Sequence, residues 1–484
     1  MIWIHGGFFK SGSAQEFPEM GAVRNLVSRG VVIVSIQYRL GVLGFLTTFT
    51  NDFIPNLGLL DQVEAIKWVK EEIVNFGGDP YRITLFGESA GSASVSAHTY
   101  SPLSQNLFQQ AILESGTALT CFDGALGYDG LSYTAANVLC GYTLDMWYAG
   151  NYTALKACMM NLSIEEINNN WMSNELFNLL GWRMVQDNYF MPDVPRILWE
   201  KRPNIPIIIG TNKDEWAFLE LAFIAFGIKN FTTYDKGWFE CEYSALASYL
   251  NKSKEIDSLS LLEAVYVPYG LAEDDHLGWL KVSVAAFTGA AFTGHSTRDI
   301  GYYLYNNNTE VYAYQFDYPS YVGYYGTKLK GYEDVVPHGA EIPFVWMRDS
   351  DWKKAAENGQ IVPTDLPVGN FFGEAWTNFA KFGRPTLDGS WQPVSSAIEQ
   401  NYLSINATNI MKNMYRNIDR VIWNQAIPSQ IGNWPPESPD YNNGTQPKEI
   451  PADLTCVISG IGYELSEQQQ SILKNMIGVS RYSN

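Results

Sequence analysis

Residues 82–97 read RITLFGESAGSASVSA, a short apolar run followed by a glycine-flanked serine and a segment rich in small residues. The apolar run predicts a buried strand, and the small residues from Ser89 onward predict a helix. Gly87 and Gly91 flank Ser89 in a G-x-S-x-G pattern and remove the Cβ atoms that would collide where strand and helix nearly touch. The stretch therefore predicts a sharp strand-to-helix turn that presents Ser89, a candidate nucleophile, at a helix N-terminus.

Strand-like and helix-like segments alternate around this turn. Apolar, β-branched runs at Val31 to Ile36 and Ile205 to Ile209 predict buried strands, and Val311 to Phe316 predicts a further strand. Apolar residues recur at three- and four-residue steps from Leu59 to Val74, which is typical of a helix with one apolar face. The alternation predicts the α/β class, with a mostly parallel central sheet covered by helices on both faces.

One domain and a tail account for the 484 residues in this interpretation. Pro and Asn cluster from Asn433 to Pro451, which is typical of an exposed linker. We therefore expect a single domain over residues 1–430, followed by a linker and C-terminal tail over residues 431–484.

The charge balance is acidic, with 32 Lys and Arg against 51 Asp and Glu and a formal net charge of −19. A protein of this sign repels phosphate groups, so the composition argues against nucleic acid or an anionic membrane surface as a partner. No apolar run reaches the ~18 residues that a membrane span needs, so no span is expected.

Seven Asn-X-Ser/Thr sequons and few Lys residues favour a secreted or extracellular protein, although the sequence starts as a strand-like run with no export signal before it. The five Cys residues contain no C-x-x-C pair, which argues against a zinc ribbon or a thioredoxin-like site. Cys140 and Cys158 are close enough to close a small loop in an oxidising compartment, or else they are two buried thiols. The candidate glycosylation sites are Asn151, Asn161, Asn230, Asn251, Asn307, Asn406 and Asn443.

A glycine-rich turn, His5-Gly6-Gly7-Phe8, follows the first strand-like run. Successive backbone N–H groups in such a turn can point at one oxygen, as an acyl-transfer site requires for its tetrahedral intermediate. In this interpretation Gly6, Gly7 or Phe8 supplies one amide of an oxyanion hole, and Ala90, directly after the candidate nucleophile, supplies another. The alternative is an ordinary turn that ends a strand.

A serine nucleophile needs a general base, and the chain has five His residues. In the chain order serine, acid, histidine the base comes late, which favours His338, in a loop punctuated by Pro and Gly. His276 lies in an acidic stretch that is typical of a surface. His295 follows a glycine-rich segment and is compatible with either role.

Two carboxylates compete for the role of the acid that orients the base. Asp214 and Glu215 both follow the strand predicted at Ile205 to Ile209. Residues just past the carboxyl end of such a strand are placed to reach a site at that edge of the sheet. The residues alone do not decide between the two, and a solvated charged turn is the plainer alternative.

Taken together, these motifs resemble the type B carboxylesterase and cholinesterase family of α/β-hydrolases, from Trp3 to about Gln425. The motifs that carry the resemblance are Trp3-Ile4-His5-Gly6-Gly7, Tyr38-Arg39, Gly58-Leu59-Leu60-Asp61-Gln62, Asn75-Phe76-Gly77-Gly78-Asp79-Pro80, Phe86-Gly87-Glu88-Ser89-Ala90-Gly91, Ser115-Gly116, Gly210-Thr211-Asn212-Lys213-Asp214-Glu215, His338-Gly339-Ala340-Glu341, Trp376-Thr377-Asn378-Phe379-Ala380 and Gly383-Arg384-Pro385.

The resemblance implies the α/β-hydrolase fold, with Ser89 as nucleophile, Glu215 as acid and His338 as base. It also implies a disulfide between Cys140 and Cys158. The reaction it implies is hydrolysis of small-molecule carboxylic esters through an acyl-enzyme, with no metal or organic cofactor. The alternative within the family is a non-catalytic, neuroligin-like adhesion or binding protein, and the presence of all three triad residues favours the enzyme.

The chain departs from the family pattern in three places. Phe8 stands where the family usually has a small residue, so its side chain is expected to crowd the acyl pocket. Arg420 stands where one Cys of the family's C-terminal disulfide is expected, and the other Cys also has no counterpart. The family's N-terminal region has no counterpart before His5, so the sequence is expected to be a truncated product or a fragment.

Overall fold

The structure is a computed structural model that describes residues 1–122, 130–172, 182–225, 229–247, 252–305, 310–323 and 328–431. Eight strands form one sheet in these ranges. They are β1 (Ile2–Ile4), β2 (Val34–Ser35), β3 (Thr84–Glu88), β4 (Gln110–Glu114), β5 (Ile207–Asn212), β6 (Val311–Phe316), β7 (Tyr402–Ile405) and β8 (Ile410–Lys412). Their order across the sheet is β2-β1-β3-β4-β5-β6-β7-β8, and β7 and β8 form its antiparallel pair.

The α-helices of the described residues run between and beyond these strands. In the first half they are α1 (Glu19–Asn25), α2 (Gly41–Phe45), α3 (Leu57–Glu72), α4 (Ala90–Tyr100), α5 (Ala118–Phe122), α6 (Gly130–Cys140), α7 (Leu144–Tyr148), α8 (Thr153–Asn161), α9 (Ile164–Met172) and α10 (Pro195–Leu198). In the second half they are α11 (Ala217–Ala225), α12 (Lys236–Leu246), α13 (Lys252–Tyr266), α14 (His276–Thr288), α15 (Gly294–Tyr305), α16 (Ile342–Trp346), α17 (Asp349–Glu357), α18 (Asp365–Phe382), α19 (Asn417–Val421) and α20 (Ile427–Ile431).

Each face of the sheet has its own hydrophobic core, because successive strand residues point to opposite sides. On one face, Leu85 of β3 packs in a cluster with residues of α3, α4 and α15. On the other face, its neighbour Phe86 packs in a cluster with residues of α16 and α18. The mostly parallel sheet with helices on both faces is thus confirmed.

Most predicted elements lie within a few residues of their observed positions. The helix predicted at 59–74 is α3 with a 3-10 turn after it, and the strands predicted at 205–209 and 311–316 are β5 and β6. The prediction of a buried strand at 31–36 was wrong in extent. Only Val34 and Ser35 are paired, and both are half-buried, because β2 is the edge strand and pairs with β1 alone in the described sheet.

A disulfide joins Cys140 at the end of α6 to Cys158 in α8, so the predicted pairing is confirmed. Cys121 is a buried free thiol, and burial raises its pKa to about 12. Cys241 on α12 is disulfide-bonded. Cys456, the sequons Asn251, Asn307 and Asn443, and the predicted linker and tail beyond Ile431 lie outside the described residues.

Among the described helices, none combines the length and the apolarity that crossing a bilayer requires.

Candidate active site

Ser89 occupies the one-residue turn between β3 and α4. Its backbone has φ 59° and ψ −125°, a conformation that a non-glycine residue rarely adopts and that keeps strand and helix almost touching. The Ser89 amide donates to the carbonyl of Glu114 on the neighbouring strand β4, at 2.8 Å. The predicted strand-to-helix turn is therefore present, and it holds Ser89 in a strained, fixed backbone.

The glycines around Ser89 are required by close backbone approach. A Cβ on Gly91 would lie 2.0 Å from the carbonyl oxygen of Ile4, and a Cβ on Gly87 would lie 2.6 Å from the same atom. A Cβ on Gly6 would lie 2.9 Å from Cβ of Ser89. The glycine-rich turn after β1 thus lies directly against the serine.

That turn, residues 6–9, has an unusual backbone. Gly7 has φ 112°, and Phe8 and Phe9 both have φ 57°. The carbonyl of Gly7 accepts hydrogen bonds from the amides of Lys10 and Ser11, each at 3.0 Å. These two hydrogen bonds to the Gly7 carbonyl close the turn. His5 is not a catalytic candidate here, because its ring stacks on Tyr38 and its Nδ1 lies 2.9 Å from the carbonyl oxygen of Gly6.

His338 and Glu215 form a close hydrogen-bonded pair. Nδ1 of His338 lies 2.6 Å from Oε2 of Glu215, whose side chain is fully buried. The backbone supports the pair, because the His338 amide donates to the carbonyl of Glu215 at 3.2 Å. Asp214 instead accepts a hydrogen bond from the amide of Val336 at 3.0 Å. It therefore contacts the loop that carries His338, but not the imidazole. Of the two carboxylates that the sequence left open, Glu215 is the one on the imidazole.

The other ring nitrogen of His338 faces Glu88, the residue directly before Ser89. Nε2 lies 3.0 Å from Oε1 of Glu88, close enough for an ion pair. Nε2 makes no hydrogen bond in the described part of the chain. The structure thus brings acid and histidine together beside the serine turn, with the imidazole turned toward the carboxylate that precedes Ser89.

Buried carboxyl groups dominate the electrostatics around His338. Burial alone would lower the pKa of His338, but the carboxylates of Glu88 and Glu215 outweigh it and raise this pKa to about 9. Burial raises the pKa of Glu88 to about 7 and that of Glu341 to about 8, with a further contribution from the Glu215 charge. Burial also raises the pKa of Glu114 well above its usual range. Like charges held this close share protons rather than all ionise.

Hydrogen bonds tie these carboxyl groups to the sheet. Glu341 accepts a hydrogen bond from the side-chain Nδ2 of Asn212. The backbone N–H of Asn212 donates to Oε1 of Glu215 at 2.6 Å. Glu114 accepts from the indole of Trp376 at 2.8 Å. The catalytic acid candidate is therefore part of a larger fixed polar network at the carboxyl ends of β4 and β5.

A cavity of about 270 Å³ opens beside His338. Its walls are mostly apolar and come from α11, the segment after β6 and the histidine loop: Ala217, Phe218, Leu221, Ala222, Tyr318, Ser320, Val322, Gly323, Val335, Val336, Pro337, His338, Gly339 and Ala340. The rings of Phe218 and Phe292 lie 5.1 and 4.7 Å from the imidazole, and the ring of Phe8 lies 6.0 Å from that of Phe218. The ring of Phe8 thus lies near that of Phe218, which lines the cavity.

The remaining histidines lie elsewhere. His276 starts α14 and its Nδ1 lies 2.8 Å from the carbonyl oxygen of Tyr234. His295 and His98 are buried in helices, and burial lowers the pKa of each to about 3. None of the three lines the cavity described beside His338.

Sequence reasoning gave no role to Glu88 or Glu341, although both stand inside quoted motifs. The available signal was their position: Glu88 immediately precedes the candidate nucleophile and Glu341 follows His338 by three residues. It also missed Phe218, the second residue of α11, whose ring lies 5.1 Å from the imidazole of His338.

Comparisons with known proteins agree with this geometry. A model of the carboxylesterase family matches residues 1–423. Acylcarnitine hydrolase of Mus musculus is 31% identical over 448 residues, which cover 89% of this chain and 72% of the relative. Cocaine esterase of Homo sapiens is 29% identical over 446 residues, 89% of this chain and 72% of the relative. Liver carboxylesterase of Sus scrofa is 29% identical over 457 residues, 90% of this chain and 75% of the relative.

These relatives are hydrolases by name, so the non-catalytic adhesion alternative is not favoured. Matched motifs, an eight-stranded sheet and a match over nearly the whole described chain agree with one another. The chain belongs to the carboxylesterase family and is a carboxylic ester hydrolase with the α/β-hydrolase fold.

Proposed function

We propose that this hydrolase works through a serine nucleophile and an acyl-enzyme, with Ser89, His338 and Glu215 as its triad. The observation that carries the proposal is the 2.6 Å contact between Nδ1 of His338 and Oε2 of Glu215. This contact fixes the ring with Nε2, the nitrogen that would take a proton, 3.0 Å from Oε1 of Glu88, the residue directly before the proposed nucleophile. The strained turn at Ser89 supports the assignment of the nucleophile.

In the proposed first half-reaction, Oγ of Ser89 bonds to the ester carbonyl carbon as its proton passes to Nε2 of His338. The tetrahedral oxyanion is held by the amides of Gly7, Phe8 and Ala90, with Gly6 shaping the turn. The C–O bond to the alcohol then breaks, and the alcohol leaves with the proton from His338. Before it can accept the Ser89 proton, Nε2 of His338 has to move from Glu88 toward the Ser89 hydroxyl.

In the second half-reaction water repeats the sequence on the acyl-enzyme. His338 takes a proton from water as the water oxygen bonds to the acyl carbon. The bond to Oγ of Ser89 then breaks, the carboxylic acid leaves, and Oγ regains the proton from His338. Glu215 keeps the imidazole in the required tautomer and stabilises its charged form throughout. No step requires a metal or an organic cofactor.

The proposed substrates are small-molecule carboxylic esters with an apolar portion. Support comes from the mostly apolar cavity of about 270 Å³ beside His338. The names of the relatives, acylcarnitine hydrolase and cocaine esterase, fit esters of this general kind.

The direct test compares hydrolysis of phenyl acetate by the wild type and Ser89→Ala. We expect the variant to lose nearly all of the rate, with labelling of Ser89 by a fluorophosphonate in the wild type alone. Ser92→Ala is a matched control, since Ser92 lies on the same helix and its hydroxyl donates to the carbonyl of Gly116. Equal rates for the wild type and Ser89→Ala, or a label on another residue, would overturn the mechanism.

A secreted or extracellular location is part of the proposal. The Cys140–Cys158 disulfide supports an oxidising compartment. Asn151, Asn161 and Asn230 are exposed, whereas Asn406 is half-buried and its amide donates to the carbonyl of Asp317 at 3.2 Å. Enzymatic deglycosylation followed by peptide mass mapping is expected to show glycan on exposed sequons and none on Asn406.

We also place residues 1–430 in a single domain. Support comes from the sheet, in which β1 near one end of the chain and β8 at 410–412 belong to the same eight strands. Limited proteolysis of the full chain is expected to give one resistant fragment ending near residue 430. Two separate resistant fragments within these residues would contradict this assignment.

A further inference from the structure

Helix α11 has one face in the substrate cavity and another in a buried polar cluster. Ala217, Phe218, Leu221 and Ala222 line the cavity beside His338. Glu220, between them in sequence, is completely buried, with its side chain 0% exposed. A buried carboxylate without hydrogen-bonding or charged partners is costly in free energy. The partners of Glu220 therefore contribute to the stability of the helix that forms the cavity wall.

Lys229, which follows α11 in the chain, is the charged partner of Glu220. Its ammonium nitrogen lies 3.3 Å from Oε2 of Glu220 and is itself 0% exposed. The same nitrogen lies 3.1 Å from the ring centroid of Trp238 and 3.7 Å from that of Tyr234, within cation–π range. The Lys229 amide donates to the carbonyl of Phe223 at 3.1 Å, which joins Lys229 to the C-terminal part of α11.

Two neutral donors also contact Glu220, and Glu242 shares a side-chain hydrogen bond with it. The hydroxyl of Tyr234 donates to Oε2, and the indole of Trp216 donates to Oε1 at 2.9 Å. Trp216 stands directly after Glu215, and its amide donates to the hydroxyl of Thr288 at 3.1 Å. The cluster therefore reaches from the back of α11 to the residue next to the catalytic acid.

The charges in this cluster are in balance. Burial lowers the pKa of Lys229, and burial together with the Glu220 charge raises the pKa of Glu242 well above its usual range. Burial would raise the pKa of Glu220, but Lys229 and the hydrogen bonds outweigh it and lower this pKa. Lys229 thus lies among two buried carboxyl groups, and its ion pair is with Glu220.

A buried ion pair adds little to stability compared with apolar residues of the same volume, but it fixes direction and distance. We propose that Glu220 and Lys229 are positioning residues that hold α11 in place, and that they thereby set the size of the substrate group accepted in the cavity. This inference rests on the proposed function, since it assigns the wall beside His338 to the substrate.

The test uses the full chain with both charges removed, Glu220→Gln together with Lys229→Met. Gln keeps one acceptor oxygen for the Trp216 indole and places an NH2 group that can donate to the Tyr234 hydroxyl, and Met keeps most of the apolar length of Lys. We expect kcat/KM for 1-naphthyl acetate, relative to phenyl acetate, to rise about tenfold because α11 can then shift away from the cavity. This is the order of discrimination that one extra methylene group causes in an apolar pocket. The kcat for phenyl acetate is expected to change less than this ratio.

The matched control is a second buried ion pair, Arg202 and Asp299, at 2.6 Å with side chains 1% and 0% exposed. Neither residue is among the described residues that line the cavity. Arg202→Met with Asp299→Asn is expected to lower the Tm and leave the ester ratio unchanged. An unchanged ratio in the Glu220/Lys229 variant, or an equal rise in the control, would overturn the proposal.

Folding failure is covered by a milder variant. Tyr234→Phe removes one donor to Glu220 and keeps the ring beside Lys229. We expect the ratio of kcat/KM for 1-naphthyl acetate to that for phenyl acetate to rise in this variant too, but by less. Fluorophosphonate titration of Ser89 reports separately on the proposed mechanism. Absence of labelling in the wild type would overturn the serine mechanism, while the ester ratio alone decides the role of the pair.

Discussion

Nε2 of His338 lies 3.0 Å from Oε1 of Glu88, so the imidazole has a carboxylate on each of its two nitrogens. An imidazolium held in this way is stabilised from both sides, whereas a general base must be neutral to accept the serine proton. The contact with Glu88 therefore favours the resting, protonated form of the ring. In the proposed mechanism, the ring must give up this proton and face Ser89.

The first prediction concerns the pH profile of Glu88→Gln. Removing the carboxylate withdraws a charge that stabilises the imidazolium, so the pKa of His338 is expected to fall from about 9. Because neutral His338 is the active form in the proposed mechanism, the acid limb of kcat/KM should move about one pH unit lower. The difference should be largest between about pH 7, above which Glu88 is ionised, and about pH 9.

Glu114→Gln is the control for this profile. Burial raises the pKa of Glu114 well above its usual range, and this carboxyl group accepts from the indole of Trp376 and does not contact the imidazole. Its profile is expected to match the wild type. A Glu88→Gln profile that superimposes on the wild-type profile would show that the contact with Nε2 has no influence on catalysis.

The second prediction concerns the tautomer of the imidazole. In Glu215→Gln the amide can donate to Nδ1, which leaves the proton on Nε2 and blocks its role as base. We expect kcat to fall about 10³–10⁴-fold with little change in Tm, measured on phenyl acetate with the active fraction titrated. Asp214→Asn, which alters the adjacent carboxylate that contacts Val336, should retain activity within about tenfold. Similar losses in both variants would count against Glu215 as the acid.

The strand-to-helix turn could be predicted from the sequence because its requirements are local. A side chain on Gly87 or Gly91 would collide with backbone atoms that lie a few residues away in the chain or on the adjacent strand β1. The same holds for β5 and β6, whose continuous apolar runs reflect burial on both faces.

The choice between Asp214 and Glu215 could not be made locally. Both carboxylates follow β5, and what separates them is which one faces a loop more than a hundred residues away. Family resemblance supplied the answer. The contact of Glu88 with Nε2 was not predictable at all, since it depends on the rotamers of two side chains separated by 250 positions. The same is true of the Glu220–Lys229 pair, which no motif marks.

The third prediction concerns the disulfide. Replacing Cys140 and Cys158 by Ser opens a loop of 18 residues and is expected to lower the free energy of unfolding by about 2–4 kcal/mol. Chemical denaturation with urea measures this change. Since neither residue lies beside His338, the kcat of the folded variant should match the wild type. Cys121→Ser, at a free buried thiol, is the control and should show a smaller loss. A double variant as stable as the wild type would contradict the prediction.

The last prediction separates two glycines that differ only in their surroundings. A Cβ on Gly91 would lie 2.0 Å from the carbonyl oxygen of Ile4, so Gly91→Ala must push β1 away from α4. We expect it to lose at least about 2 kcal/mol of stability and most of the hydrolytic rate, because the Ser89 turn depends on this approach. Gly301 in α15 has no atom within 4 Å of an added Cβ. Gly301→Ala should therefore gain about 0.5–1 kcal/mol from helix propensity, with unchanged kcat. Thermal unfolding and phenyl acetate hydrolysis of both variants decide the matter, and equal effects of the two substitutions would refute the close approach at Gly91.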